Sequence, residues 1–282
     1  MRFWLSLFLI LALSACGPQP SEPNEDQKDG SYSQDFSTPT ALLVHERNGE
    51  PFSMASAFLI EREPGFFSTA KHFVEDLSGT EFKIFVNGKV YLGNVAATPA
   101  ISDLGLVVIG GNFKADDLLS PYKLSNGQKL KVGDTVRVRG FHPHPPHLQM
   151  DKILVGIIRG YYGMPWSKNE FVFDDLEAKV SNLALEIKNK DIGGTPEGFG
   201  FISNTYIEVI TNEDHQFSFG GLSGGPVVDK NNEVVGIVAN AQDGGYILEG
   251  HEGVYYPWKT IRIVPVEELH KLVAVILVEE EK

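Results

Sequence analysis

A chain of 282 residues, 42% apolar and 22% charged, is long enough to bury one large core or two small ones and has an ordinary globular composition. Its formal charge of −13 excludes the electrostatic footprint of a nucleic-acid binder and electrostatic attraction to anionic lipid. The acidity reads as solubility, part of it in the terminal run Glu279-Glu-Glu-Lys282.

In chain order, Arg2 and the apolar run Phe3 to Leu13 predict a processing segment at residues 1–15. The run is too short to span a bilayer and fits the core of a signal peptide. It closes on Leu13-Ser-Ala-Cys16, which resembles the lipobox of bacterial lipoproteins, in which the cysteine becomes the lipidated first residue. Cys16 is the only cysteine, so the mature fold is expected to hold no disulfide despite being exported. Gly17 follows where the aspartate of an inner-membrane retention signal is absent, which in a Gram-negative cell favours the outer membrane. Residues 16–38, rich in Pro, Ser, Asp, Glu, Gln and Gly, bury too little to offset their ordering entropy and predict a flexible tether.

From Ala41 onward short apolar runs alternate with turn residues: Ala41 to Val44, Ser56 to Ile60, Phe82 to Val86, Leu104 to Ile109, Thr135 to Arg139, Ile153 to Ile158, Tyr206 to Ile210, Pro226 to Val228 and Val234 to Val238. Asn87-Gly88 between two such runs signals a hairpin. With 29 glycines, above the usual ~7%, the texture predicts an all-β chain of barrels or a sandwich. Two stretches differ. Phe173, Leu176, Val180, Leu183 and Ile187 recur at alternating spacings of three and four, which predicts a helix, with Asp174 and Asp175 near its start, Lys188 and Lys190 near its end and Gly193 beyond. Val266 to Val278 reads as a closing helix, or as a strand over Val273 to Val278. His142-Pro-His-Pro-Pro-His147 reads as a surface loop between strands, without a metal.

Three segments carry chemistry, in the order His, Asp, Ser: Phe67-Ser-Thr-Ala-Lys-His72, Ile101-Ser-Asp103-Leu-Gly-Leu-Val-Val and Gly220-Gly-Leu-Ser223-Gly-Gly-Pro. A serine hydroxyl is a weak nucleophile near neutral pH and needs a base within hydrogen-bond reach. Histidine titrates near that pH, and a carboxylate on its far nitrogen holds one tautomer. Backbone N–H groups in a tight glycine-rich turn can stabilise the oxyanion of acyl transfer. The order His…Asp…Ser is that of the chymotrypsin arrangement, and Gly-x-Ser-Gly-Gly-Pro is not the Gly-x-Ser-x-Gly elbow of an α/β-hydrolase.

These segments resemble those of trypsin-like serine peptidases, nearest the bacterial Deg (HtrA-like) branch, and Ile261-Arg-Ile-Val-Pro-Val-Glu-Glu-Leu resembles that branch's closing strand and helix start. The resemblance spans about 41 to 275, motif by motif. It implies two packed six-stranded β-barrels: residues 39–124 with His72 and Asp103, and 125–282 with Ser223. The second would carry a helical insertion at about 160–204 and a C-terminal helix or strand. It also implies His72 as general base, Asp103 as its orienter, Ser223 as nucleophile, and an oxyanion hole from the N–H groups of Gly221 and Ser223. Phe217, Ala239 and Asn240 would line the substrate pocket; without an acidic residue at 217, cleavage after Lys or Arg is not expected, and a small or apolar side chain is. The chain departs from the family at Lys71, before the histidine. It departs again at Leu222, which replaces the usual Asp or Asn and removes the partner for ion-pair activation of that loop. No PDZ-type module is expected to follow.

The expected function is a serine endopeptidase, lipid-anchored at the bacterial cell envelope and acting on proteins or peptides with no cofactor. The alternatives are a weak or inactive peptidase-fold protein that serves as a binding scaffold, and an esterase using the same site.

Overall fold

The structure is a computed structural model and describes residues 39–75, 81–99, 102–126, 129–144, 161, 170–186, 205–215, 219–242 and 258–280. Cys16 and Phe217 lie outside the described residues, as do the tether, the run Ile153 to Ile158 and the segment 187–204.

Twelve strands close into two antiparallel six-stranded barrels. The first contains β1 (Thr40–Arg47), β2 (Glu50–Glu61), β3 (Phe66–Thr69), β4 (Phe82–Val86), β5 (Lys89–Ala97) and β6 (Gly105–Ile109), in the order β1-β2-β3-β6-β5-β4. The second contains β7 (Thr135–His144), β8 (Glu170–Glu186), β9 (Thr205–His215), β10 (Pro226–Val228), β11 (Val234–Gln242) and β12 (Trp258–Pro265), in the order β10-β11-β12-β9-β8-β7. Asn87-Gly88 is the two-residue turn joining β4 to β5, with Val86 paired to Lys89.

Each barrel has its own apolar interior. Leu43, Leu59, Phe67, Phe82, Ile84 and Val107 fill the first; Val138, Ala178, Val209, Leu222, Val235 and Ile263 fill the second. A third cluster joins them, with Phe58, Leu104 and Leu106 from the first barrel and Val228, Val234 and Ile237 from the second. At ~1.5–3 kcal/mol for each fully buried large apolar side chain, this seam makes the two barrels one packed body.

The closing segment is a helix, α2 (Val266–Glu280). Val266, Leu269 and Leu272 are buried, with Val273 and Ile276 packed beside them on the joining cluster. That period of three to four decides between the two sequence readings, and Glu267 and Glu268 in the first turn complement the helix dipole.

Over the described residues 174–186 the predicted helix is a strand instead. β8 pairs with β7 from Thr135↔Lys179 to His144↔Glu170, and with β9 on its other edge. Its inward residues alternate: Val172, Asp174, Leu176, Ala178 and Val180 are buried, while Phe173 is half-buried and Leu183 exposed. The inward carboxylate is what disguised the strand. With Asp174 polar, the apolar residues left visible in the sequence mimic a helical stripe. The segment 170–186 is therefore a wall of the second barrel and no insertion into it.

His142 also departs from its sequence reading. It belongs to β7 rather than to a surface loop, is fully buried, and bonds through Nε2 to the Asp174 carboxylate. His142 pairs across the ladder with Val172, so its ring reaches diagonally to Asp174, a contact that neighbouring strands permit. Pro145, Pro146 and His147 of that run lie outside the described residues.

Candidate active site

Between β3 and β4 the chain makes a single helical turn, α1 (Lys71–Val74), preceded by Ala70 in extended conformation. This turn lifts His72 to the rim of the first barrel. Asp103 lies just before β6, which pairs with β3, so two adjacent strands deliver the pair. The backbone N–H of His72 donates to Asp103 Oδ1 at 2.9 Å, and Nδ1 lies 2.8 Å from Oδ2 and 3.1 Å from Oδ1. One carboxylate thus holds both the main chain and the ring. An ionised carboxylate only accepts, so Nδ1 carries the proton and Nε2 is left as the basic nitrogen. Asp103 is buried, whereas the His72 side chain is 43% exposed.

Burial alone would pull the His72 imidazole down. The hydrogen bond to Asp103, the charge of Asp103 and that of Glu75 outweigh it, and the net shift is upward from 6.5. Lys71, the first departure from the family pattern, reaches along the turn to Glu75 at 3.5 Å.

Ser223 stands on the second barrel in the turn leading into β10. Leu222 N–H donates to Phe219 O at 3.0 Å, and Gly221, third in that four-residue turn, has φ +103°, as a type II turn requires. Most of the surrounding peptide groups are bonded. Gly221 O accepts from Ser56 Oγ at 2.7 Å, Leu222 O from Gly225 N–H at 2.8 Å, and Ser223 O from Ser56 N–H at 2.9 Å. Gly224 N–H donates to Val238 O at 2.7 Å. Among the described residues, the N–H groups of Gly221 and Ser223 alone in this run from 221 to 225 have no acceptor in the protein. That pair is what an oxyanion hole consists of.

Gly224 fits this turn against the histidine's barrel. Its φ is +85°, and a Cβ there would lie 2.2 Å from Ser56 O, 2.4 Å from Thr69 Oγ1 and 2.7 Å from Ala70 N. The serine turn therefore rests directly on Ala70, the residue that precedes α1. Leu222, the second departure, is fully buried in the second barrel's core.

The structure thus gathers His72, Asp103, Gly221 and Ser223 at the seam between the barrels. Ser223 Oγ donates to Ala239 O at 3.3 Å, and no hydrogen bond joins it to His72. Ala239 is fully buried in β11, so it faces the site with its carbonyl rather than its side chain. Asn240 follows it in that strand.

The model of the trypsin-like peptidase domain matches residues 55–237, more than half of the chain. The chain belongs to the trypsin-like peptidase family. No curated protein sequence matches it. Among solved structures, this peptidase is similar to the active form of the Rv3671c protease from M. tuberculosis, with TM-score 0.52, 16% identity and coverage of 95% of this chain and 93% of that one. The inactive form of the same protease gives TM-score 0.50 at 16% identity over 84% and 88% of the two chains. At such identity the likeness is one of fold, and the two-barrel fold is common to both.

Two features of this peptidase had no legible motif. Ser56 sits in the apolar run Ser56 to Ile60, where nothing in the neighbouring residues marks it. The His142–Asp174 pair lies beneath the serine turn, with the His142 ring edge-on to Phe219 at 5.8 Å between centroids. Pairing of a buried His with an Asp two strand positions away is a signal only once the register of β7 and β8 is known.

Proposed function

We propose that this trypsin-like peptidase is a serine endopeptidase that works through an acyl-enzyme on Ser223, and that Cys16 anchors it by lipid to the bacterial cell envelope. The observation that carries the enzymatic reading is the combined geometry of base and hole. Asp103 fixes His72 in the tautomer with a basic Nε2, and the Gly221 and Ser223 N–H groups are unspent beside those of Leu222, Gly224 and Gly225, which are bonded.

In the reaction, Ser223 Oγ leaves the Ala239 carbonyl, turns toward His72 and attacks the scissile carbonyl carbon as its proton passes to Nε2. The carbonyl oxygen takes the negative charge, and the Gly221 and Ser223 N–H groups stabilise it. Protonated Nε2 then gives that proton to the departing amine as the C–N bond breaks, leaving the acyl ester. A water molecule, deprotonated by the same nitrogen, hydrolyses the ester and restores Ser223. Asp103 stabilises the imidazolium in both halves. Protein or peptide chains are the substrates, and the Deg-like branch is the nearest affiliation.

The test of the enzyme is covalent labelling of the mature protein by a fluorophosphonate, with Ser223→Ala as control. Labelling of wild type and none of the variant is expected. Absence of wild-type labelling would reject the enzyme in favour of a scaffold that keeps the fold, the reading that the Ser223–Ala239 hydrogen bond favours. Anchoring is tested by incorporation of a radiolabelled fatty acid in cells. Cys16→Ser is expected to abolish incorporation and shift the protein from the membrane to the soluble fraction; an unlabelled wild type would end the lipoprotein reading.

A further inference from the structure

We propose that the Ser56 hydroxyl, on the first barrel, is a positioning group for the oxyanion hole on the second, a role that rests on the serine-peptidase reading above. Ser56 lies in the middle of β2 and is fully buried. A buried serine in a strand needs one partner for its hydroxyl, and its backbone ordinarily bonds within its own sheet. Ser56 does more. Its Oγ donates to Gly221 O at 2.7 Å and accepts from Phe141 N–H at 2.8 Å. Its N–H donates to Ser223 O at 2.9 Å, and its carbonyl accepts from Thr69 Oγ1 at 2.8 Å. Every polar group of this residue is spent, and three of the four bonds cross to the second barrel.

The place explains the need. β10 pairs with β7 only at Arg137 and Val138, so Phe141, three residues farther along β7, is beyond its reach. The hydroxyl supplies the partner for Phe141 N–H and, in the same stroke, one for the Gly221 carbonyl. Gly221 is the most permissive residue in the serine turn, with φ +103° and no side chain to hold it. The Phe219 carbonyl pins the N–H end of the 221–222 peptide, and Ser56 Oγ pins its oxygen end. With both ends held, the peptide plane that follows the Gly221 Cα is fixed, and the preceding 220–221 peptide, which carries the Gly221 N–H, is left only the rotation at Gly221 by which to turn from the oxyanion. Without the hydroxyl the carbonyl end is released, and the donor can swing away from the site. Since outright loss of one hole donor costs about 10²–10³ in kcat, release of its anchor is expected to cost about 10- to 100-fold.

Ser56→Ala tests this directly, with kinetic constants taken per site titrated by the fluorophosphonate endpoint, so that misfolded molecules do not count. With a fluorogenic peptide, kcat is expected to fall about 10- to 100-fold while KM stays within about threefold. A peptide boronate, whose tetrahedral adduct puts an oxygen in the hole, is expected to lose affinity by the same factor as kcat/KM, and the cleaved product peptide to lose none. A purely structural role moves stability without this split. Ser56→Cys keeps the bulk but weakens the donor, and gives the same readout where the alanine variant does not accumulate. Amide hydrogen exchange across 219–225 is expected to quicken at least about tenfold at Leu222 and Gly224. Exchange requires no turnover, so it tests the role of Ser56 even where wild-type labelling has failed. Wild-type kcat and boronate affinity in the variant, or unchanged exchange, overturns the proposal and leaves the peptidase reading intact.

Discussion

Asp103→Asn is expected to lower kcat about 10⁴-fold while leaving the fold and KM nearly unchanged, and to move the acid limb of the pH profile. The carboxylate accepts from both the backbone N–H and Nδ1 of His72. An amide keeps the shape, yet it can present N–H where the ring needs an acceptor. The imidazole then takes the other tautomer, with the proton on Nε2, and can no longer receive one from Ser223; loss of this orienting carboxylate has a cost of that order. The pH consequence has a definite sign. Burial depresses the His72 pKa, but the hydrogen bond that His72 donates to Asp103 and the charges of Asp103 and Glu75 together raise it by more, so the folded value lies above 6.5. Below that value the base is protonated, so wild-type kcat/KM rises with pH through an inflection above 6.5. In the variant the two Asp103 contributions vanish, and the inflection of the residual activity falls. The same linkage acts on stability. A group whose pKa is raised by folding contributes fully at pH below its unfolded value, and the contribution is lost as pH climbs through the folded one. Wild type therefore gains stability over the variant as pH falls through that window. A wild-type inflection at or below 6.5, or an Asp103→Asn enzyme of near-normal kcat, would contradict the assignment.

The parts of the site that were legible in the sequence share a cause. His72, Asp103 and Ser223 each sit in a short segment whose chemistry dictates its neighbours: glycines for a tight turn, apolar residues for the flanking strand. The positions of such groups can be read locally. Ser56 cannot, because its function depends on a carbonyl 165 residues away and on the place where β10 begins. Asp174 shows the same limit from the other side. Its carboxylate faces inward because His142 waits there, and without the pairing of β7 to β8 it reads as an N-terminal helix charge. Many short strands left barrels and a sandwich both open, and the two barrels followed from the family resemblance, whereas α2 became certain only when its buried stripe met both barrels. Long-range register, rather than composition, separates what was readable from what was not.

Leu222 brings that distinction to the nucleophile itself. Where the family has Asp or Asn before the serine, this chain places a side chain that is fully buried among Val138, Phe219, Val227 and Val238. The turn carrying Gly221 and Ser223 is thus held down by apolar burial, which neither titrates nor requires a newly formed amino terminus as a counter-ion. Leu222→Asp, which restores a family-like carboxylate, is accordingly expected to harm this protein. It forfeits about 1.5–3 kcal/mol of leucine burial and adds the cost of a polar group with no partner, about 1–3 kcal/mol. The free energy of unfolding should fall by roughly 3–5 kcal/mol, out of the 5–15 kcal/mol typical of a domain. Relief comes by moving the carboxylate toward water, which drags the turn out of the barrel, so kcat is expected to fall at least about 100-fold, comparable to losing a hole donor. Leu222→Met conserves volume and apolarity, and its cost should stay below about 1.5 kcal/mol with kcat within a few-fold. Urea denaturation and titrated turnover of the two variants distinguish anchoring by burial from anchoring by charge. If the aspartate variant keeps wild-type stability and rate, the leucine is not what secures the turn.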